Sequence, residues 1–337
     1  MTRSRNFFIL CAAVVLALGA LLWVPCYPDK AVVISVPLGA GLGTVAARLK
    51  KAGAIHSAFV FKGLARLEGK SGAIKAGDYA VPPGLDAFET LNLLVSGGSL
   101  MHPLLVREGL SAAQIGAELE KQGLGSAKAF MALVKNPASA RRFQVPGPTL
   151  EGYLFPDTYF LPQGVGAETV VRMMVARFHQ KVPDTLLAQG RAIRLNPRQV
   201  MTMASIIEKE AKVEQERPII SAVFRNRMRQ KKRLESCATV RYALDKWTGP
   251  LYDKDLLAPS PYNTYRNYGL PPGPICSPGL LCILAALHPV KTDALFFVVA
   301  GDGTHIFSKT YAEHLKAKAR WKRLRKGIVE ESPAGGG

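Results

Sequence analysis

The sequence has no CxxC, no HExxH and no zinc-finger spacing, which excludes a structural or catalytic zinc site of the common kinds. It has no aromatic ribonucleoprotein motif either, so no motif ties its charge to nucleic acid. Cysteine is scarce, at five residues in 337. Cys11 and Cys26 fall in or beside an apolar N-terminal run. That leaves Cys237, Cys276 and Cys282 for at most one disulfide, whose pairing the sequence does not choose. Acidic residues are also in short supply: 25 Asp and Glu stand against 44 Lys and Arg, a formal charge of +19. Such a chain prefers anionic surroundings, whether nucleic acid, phospholipid headgroups or an acidic wall polymer. Hydrophobic residues at 48% and charged residues at 20% are ordinary for a globular protein, so disorder is not its main character.

The N-terminus narrows the choice. Phe7 to Val24 (FFILCAAVVLALGALLWV) carries no charge and follows Arg3 and Arg5. The run is just long enough to span a bilayer, and the arginines orient it with the N-terminus in the cytoplasm. A cleaved signal peptide fits less well, because the run ends in Trp23, Val24 and Pro25 rather than in small residues. Pro25 also argues against Cys26 as a lipoprotein cysteine. The expectation is a single-pass membrane anchor over 1–28. The remainder then lies on the outer side, and nucleic acid drops out as a partner.

Beyond the anchor a pattern repeats. Val36-Pro37-Leu38-Gly39 opens a segment ending at Gly53, and Val106-Arg107-Glu108-Gly109 opens one ending at Gly123. The two align without a gap, Leu49 falling on Leu119. A shorter echo starts at Val81-Pro82-Pro83-Gly84. Each copy reads as strand, glycine turn, then a helix closed by glycine. These copies predict a small α+β module over 29–103, and its spacing resembles the LysM-like βααβ region of cell-wall enzymes. A plain spacer domain fits the same pattern. A larger mixed α+β catalytic domain is expected over 104–327, with a flexible tail over 328–337. Within it, 168–192 and 197–230 read as helices, with Asn196-Pro197 as a helix start. A long Pro-, Gly-, Asn- and Tyr-rich loop runs from Pro250 to Pro289. Strands at LFFVVAG and HIFS and a basic helix from Tyr311 close the domain.

The segment VMTMASIIEKEAKVEQE, Val200 to Glu216, is the most informative. Read as one helix, it puts Val200, Met203, Ala204, Ile207 and Ala211 on an apolar stripe, with Glu208 and Glu210 on opposite borders and Glu214 one turn beyond. A carboxyl at the edge of an apolar face is desolvated, holds its proton toward neutral pH, and suits a general acid for a glycosidic bond. A solvated face of Glu and Lys gives the same pattern, and the helical wheel does not separate Glu208 from Glu210. LEGYLFPDTYFLP (Leu150 to Pro162) and SPYNTYRNYGLPPGPICSPG (Ser260 to Gly279) combine aromatics, acids and amides with rigid prolines, a composition that suits a glycan groove or a core.

These motifs come in a telling order. IKAGDY, LEGYLFPDTY, MASIIEKEA, VFRNRM, ATVRYAL, PYNTYRNYGLPPGPI and ALHPVKTDALFFVVAGDGTHIFSKTYAEH follow one another along nearly the whole chain. In this the chain resembles the YceG-like, or MltG, family of endolytic murein transglycosylases. The resemblance implies a lyase without a cofactor, acting on peptidoglycan glycan strands, with Glu210 as the catalytic acid. It further implies that Glu151, Thr239, Tyr242, Tyr262, Asn263, Thr264 and Tyr265 form the substrate groove, and that peptidoglycan synthases are partners. Cys237 stands where some members carry aspartate, which argues against essential chemistry there. His288 and His305 lie in family motifs but read as structural. A membrane-tethered, non-catalytic peptidoglycan scaffold and an ordinary hydrolase remain the rival readings.

Overall fold

The computed structural model describes residues 24–28, 30–37, 39–75, 77–97, 102–161, 166–300 and 303–330. The expected anchor run Phe7–Val24, apart from Val24 itself, and most of the tail lie outside them. Among the described residues no helix is long and apolar enough to cross a membrane. The described residues form a mixed α+β fold, with many helices and three two-stranded antiparallel sheets. It divides into two compact units: 1–106, 115–133 and 157–177 form the first, and 107–114, 134–156 and 178–337 the second.

In the first unit, β1 (Val32–Val36) leads through α1 (Leu42–Lys51) and α2 (Ala58–Leu67) to β2 (Gly77–Val81), which pairs antiparallel with β1 in the register Ile34↔Tyr79. Helix α3 (Ala87–Ser96) follows. Alternation along β1 turns Ile34 and Val36 inward and leaves Val33 outward. The inward pair joins Leu49, Phe61, Leu64 and Leu94 in one core, so the helices cover a single face of the sheet. Tyr79 is buried in that core with its hydroxyl donating to the carbonyls of Lys75 and Leu94. A second antiparallel pair joins β3 (His102–Leu105) to β4 (Thr158–Leu161) across a long intervening segment.

The repeat is real in three dimensions. α1 (Leu42–Lys51), α3 (Ala87–Ser96) and α4 (Ala112–Lys121) each begin three residues after a glycine with positive φ: Gly39 at +77°, Gly84 at +91° and Gly109 at +79°. A side chain at such a φ is strained, which is why glycine holds the turn in every copy. Leu49 and Leu119, aligned by sequence, are both fully buried.

The second unit is built on α9 (Pro197–Glu210), packed against α12 (Leu280–Leu287), α10 (Arg217–Arg229) and α11 (Cys237–Ala243). Of the helices that precede α9 in the chain, α6 (Pro137–Arg142) and α8 (Asp184–Ala188) belong to this unit, whereas α5 (Ala127–Lys135) and α7 (Ala167–Lys181) lie mostly in the first. A hairpin of β5 (Phe296–Val299) and β6 (His305–Ser308) and the helix α13 (Tyr311–Glu330) complete the fold.

Three helical expectations change. The stretch 168–192 is α7, α8 and a 3-10 turn (Gln189–Ile193), interrupted at Pro183. The stretch 197–230 is two helices, because Ala211 turns extended at ψ 124° and a short 3-10 turn (Glu214–Glu216) precedes α10. Glu214 therefore does not lie on the same helix as Glu210. Nor is α9 amphipathic along its middle: every residue from Val200 to Ile207 is buried. Packing on several sides leaves it no solvated face until Glu208. The end of the long loop, expected to run to Pro289, is instead the buried helix α12.

Candidate active site

Three consecutive residues end α9, and the fold gives each a different neighbour. Glu208 accepts the Gly279 amide at 2.9 Å, at the N-terminus of α12, where a helix leaves backbone donors open. Lys209 donates to the Gly109 carbonyl at 3.1 Å and stands 4.6 Å from the centre of the Trp247 ring. Glu210 is half-buried and lines a cleft of ≈ 520 Å³. Its Oε1 accepts the Ser236 hydroxyl at 2.5 Å. Burial raises the pKa of the Glu210 carboxyl, and hydrogen bonds from Ser236 and the Ala238 amide and the nearby His305 pull it back in part.

Ser236 is placed by a buried hydroxyl relay. Its amide donates to Thr264 Oγ1 at 3.0 Å. Thr239 Oγ1 donates to the Ser236 carbonyl at 2.8 Å and lies 2.8 Å from Thr264 Oγ1. Because the Thr239 proton is committed to that carbonyl, Thr264 is the donor between the two hydroxyls. Just before Ser236 the backbone turns through Glu235, a non-glycine residue at φ +52°, held by its amide on the Thr264 carbonyl at 3.2 Å. Asn263, also buried, donates to the carbonyls of Leu256 and Ala258, both at 2.9 Å, and accepts the Tyr265 amide. The PYNT motif is thus a clamp that fixes Ser236 on one side and Tyr265 on the other.

The cleft walls carry aromatic and cationic groups. Tyr265 lies 3.1 Å from the Cys237 thiol, and both line the cleft. Burial raises the Tyr265 pKa, with the Cys237 contact adding to the effect. The opposite wall comes from the β5–β6 hairpin and α13, with Phe296, Phe297, Tyr311, His314 and Lys318. Arg227 contributes from α10 and pairs with Glu235 at 2.9 Å. His305, on β6, is gripped by Glu216: its amide donates to Oε1 at 2.7 Å and its Nδ1 sits 2.6 Å from Oε2. That grip puts the proton on Nδ1 and turns Nε2 away from Glu216.

The other expected groove residues form a second cluster. Glu151 is 6% exposed and accepts the Ala112 amide, at the start of α4, at 3.0 Å. Tyr242 donates to its other oxygen at 3.3 Å. Burial pushes the Glu151 carboxyl up to about 7, against those hydrogen bonds. Tyr262 packs on Tyr242 with ring centres 4.8 Å apart. Of the seven expected groove residues, Tyr265 lines the Glu210 cleft, Thr239, Asn263 and Thr264 support it, and Tyr242 and Tyr262 gather on Glu151 away from the cleft. The sequence reading passed over Ser236, Glu216 and His305. Ser236 sits just ahead of ATVRYAL, and His305 was set aside for want of a visible partner; Glu216 supplies one from 89 positions away.

Among the described residues no group of three or more His, Cys, Asp or Glu could hold a metal. Cys26, Cys237, Cys276 and Cys282 are all free thiols.

Residues 34–320 match the model of the YceG-like family. An endolytic murein transglycosylase of Bacillus subtilis (strain 168) is 34% identical over 304 residues, covering 86% of this chain and 84% of the relative. The endolytic murein transglycosylase of Streptococcus pneumoniae serotype 2 is 27% identical over 331 residues, covering 88% of this chain and 59% of the longer relative. Among solved structures, that of a YceG-like protein from Listeria monocytogenes superposes with a TM-score of 0.59 at 30% identity, covering 86% of this chain and 99% of the other.

Proposed function

The chain belongs to the YceG-like family, and from that premise we propose that Glu210 is the proton donor of an endolytic murein transglycosylase. The enzyme is a lyase that cleaves peptidoglycan glycan strands between N-acetylmuramic acid and N-acetylglucosamine and leaves a 1,6-anhydro end. Protonated Glu210 gives its proton to the glycosidic oxygen as the bond to the muramyl C1 breaks. The carboxylate so formed takes the proton of the muramyl C6 hydroxyl as that oxygen closes on C1. Proton and bond counts balance without water, so the second carboxylate that hydrolytic glycosidases need is not required.

One observation carries this reading: Glu210 alone of the three residues ending α9 lines an open cleft, and burial keeps its carboxyl protonated to higher pH. Tyr265 and the aromatic wall offer faces on which sugar rings stack. Thr239, Asn263 and Thr264 serve the groove by holding Ser236 and Tyr265. Tyr242 and Tyr262, seated on the buried Glu151, extend it beyond the cleft.

The βααβ order of the first unit and its antiparallel β1–β2 pair support a LysM-like, glycan-binding module over 29–103. The uncharged run Phe7–Val24 serves as a single-pass anchor, with the catalytic part over 104–327 on the outer side of the inner membrane. Cutting within nascent strands there limits their length, which makes strand-synthesising enzymes the natural partners.

Mass spectrometry of glycan strands incubated with the native chain and with Glu210→Gln tests the reaction and its acid together. Anhydromuramyl ends are expected from the native chain and their loss from the variant. Reducing ends would turn the assignment to hydrolysis. Binding without cleavage by the native chain would turn it to a tethered scaffold.

A further inference from the structure

Among the described residues, α2 of the first unit has an unpartnered face. Phe59 is 71% exposed and Leu67 87%, whereas Val60, Phe61, Leu64 and Ala65 on the opposite side are buried. At about 100° per residue, Phe59, Lys62, Arg66 and Leu67 share one arc of the helix. Two large apolar side chains thus stand about 12 Å apart along the axis with two cations between them. An apolar surface interleaved with Lys and Arg suits the headgroup region of an anionic bilayer, where rings and alkyl groups enter the acyl boundary and the cations meet phosphate.

The way the chain enters this unit indicates what covers the face. The uncharged run ends at Val24, and the fold begins at once, with no spacer between. His56, in the turn that leads into α2, lies with Nε2 3.2 Å from the Pro25 carbonyl. Cys26 is buried, donates to the Leu85 carbonyl at 3.1 Å and accepts the Gly84 amide at 2.6 Å. The first residues after the apolar run are therefore fastened to the unit, next to the N-terminal end of α2. A tether this short holds that end at whatever surface the run leaves.

We propose that the α2 face of Phe59, Lys62, Arg66 and Leu67 docks on the anionic outer leaflet of the membrane that holds the apolar run. The inference rests on the anchor reading given above. It makes the first unit a fixed foot on the bilayer rather than a domain swinging on a leash.

The full chain reconstituted in phosphatidylglycerol vesicles with brominated acyl chains tests the proposal, because bromine quenches tryptophan emission on contact. With Trp247 and Trp321 replaced by Phe, the emission is that of Trp23 and reports the anchor. With Trp23→Phe added, F59W and L67W report the face. V33W, on the outward side of β1, is the control. Loss of emission is expected at Trp23, F59W and L67W but not at V33W, and K62E with R66E should restore the emission of F59W. Quenching of Trp23 with none at positions 59 and 67 overturns the docking and leaves the anchor standing. No quenching of Trp23 overturns the anchor and the docking with it. Equal quenching of V33W overturns the assignment of this face.

Discussion

In the proposed reaction, Glu210 and Ser236 form the pair on which the chemistry turns. The serine hydroxyl donates to the carboxylate and so favours its ionised form, working against the burial that keeps the acid protonated. Removing it in Ser236→Ala raises the Glu210 pKa. The alkaline limb of the pH–activity profile should move to higher pH, while substrate affinity changes little; an unmoved limb would mean the hydroxyl does not govern the acid. Glu151 makes the opposite kind of prediction, about stability. Its folded pKa of about 7 lies above the unperturbed 4.5, so between those values the unfolded chain binds fewer protons and stability falls as pH rises. The loss approaches roughly 3 kcal/mol once both states are ionised. Glu151→Gln, neutral throughout, should gain on the native chain between about pH 5 and about pH 8 in urea unfolding. A constant gap between the two across that range would refute the assignment.

At the scale of elements, α9 carries the proposed acid, and its start is built from local chemistry. Asn196 accepts the Gln199 amide and Gln199 returns the bond to the Asn196 amide, both at 2.9 Å, with Pro197 in the first turn. Asn196→Ala should cost about 1 kcal/mol, read as a shift in the unfolding midpoint without a change in kcat. Gly152 joins two motifs. It has φ +85°, and a Cβ there would stand 2.3 Å from Pro274 Cβ, so LEGY and LPPGPI meet with no room for a side chain. Gly152→Ala should destabilise through both strain and clash, and should lower activity by shifting the loop that carries Tyr262 to Tyr265. Wild-type melting with wild-type activity would show that the contact is slack.

For the whole molecule, the thiols give a direct check. A compartment that permits disulfides does not impose one: Cys276 and Cys282 are buried as free thiols and Cys237 sits in the cleft beside Tyr265. Among the four described cysteines, iodoacetamide should label Cys237 in the native chain and the other three only after denaturation, and reductant should leave the melting temperature unchanged. A melting temperature that falls in reductant would reveal a bridge. The two compact units also cut across the linear order, since 115–133 and 157–177 join the first and 107–114 the second. No composition shift marks such an interleaving, because it depends on which distant segments pack together.

The sequence by itself determined whatever depends on neighbours in the chain. Glycine turns set three helices at matching offsets, Asn196-Pro197 started α9, and alternation along β1 chose its buried face. The ordered motifs were enough to recognise the family. By resemblance they also pointed to Glu210, whereas the helical wheel left Glu208 and Glu210 undistinguished, because it puts both at the edge of the same stripe. Tertiary contacts separated them: α12 takes up Glu208 at its N-terminus, while Ser236 and the cleft are left to Glu210. The same holds for His305, whose partner Glu216 comes from another element, and for Thr239 and Thr264, which meet only when α11 and the PYNT loop fold together. Desolvation, hydrogen-bond partners and clefts are made by segments far apart in sequence, and only the folded chain brings them together.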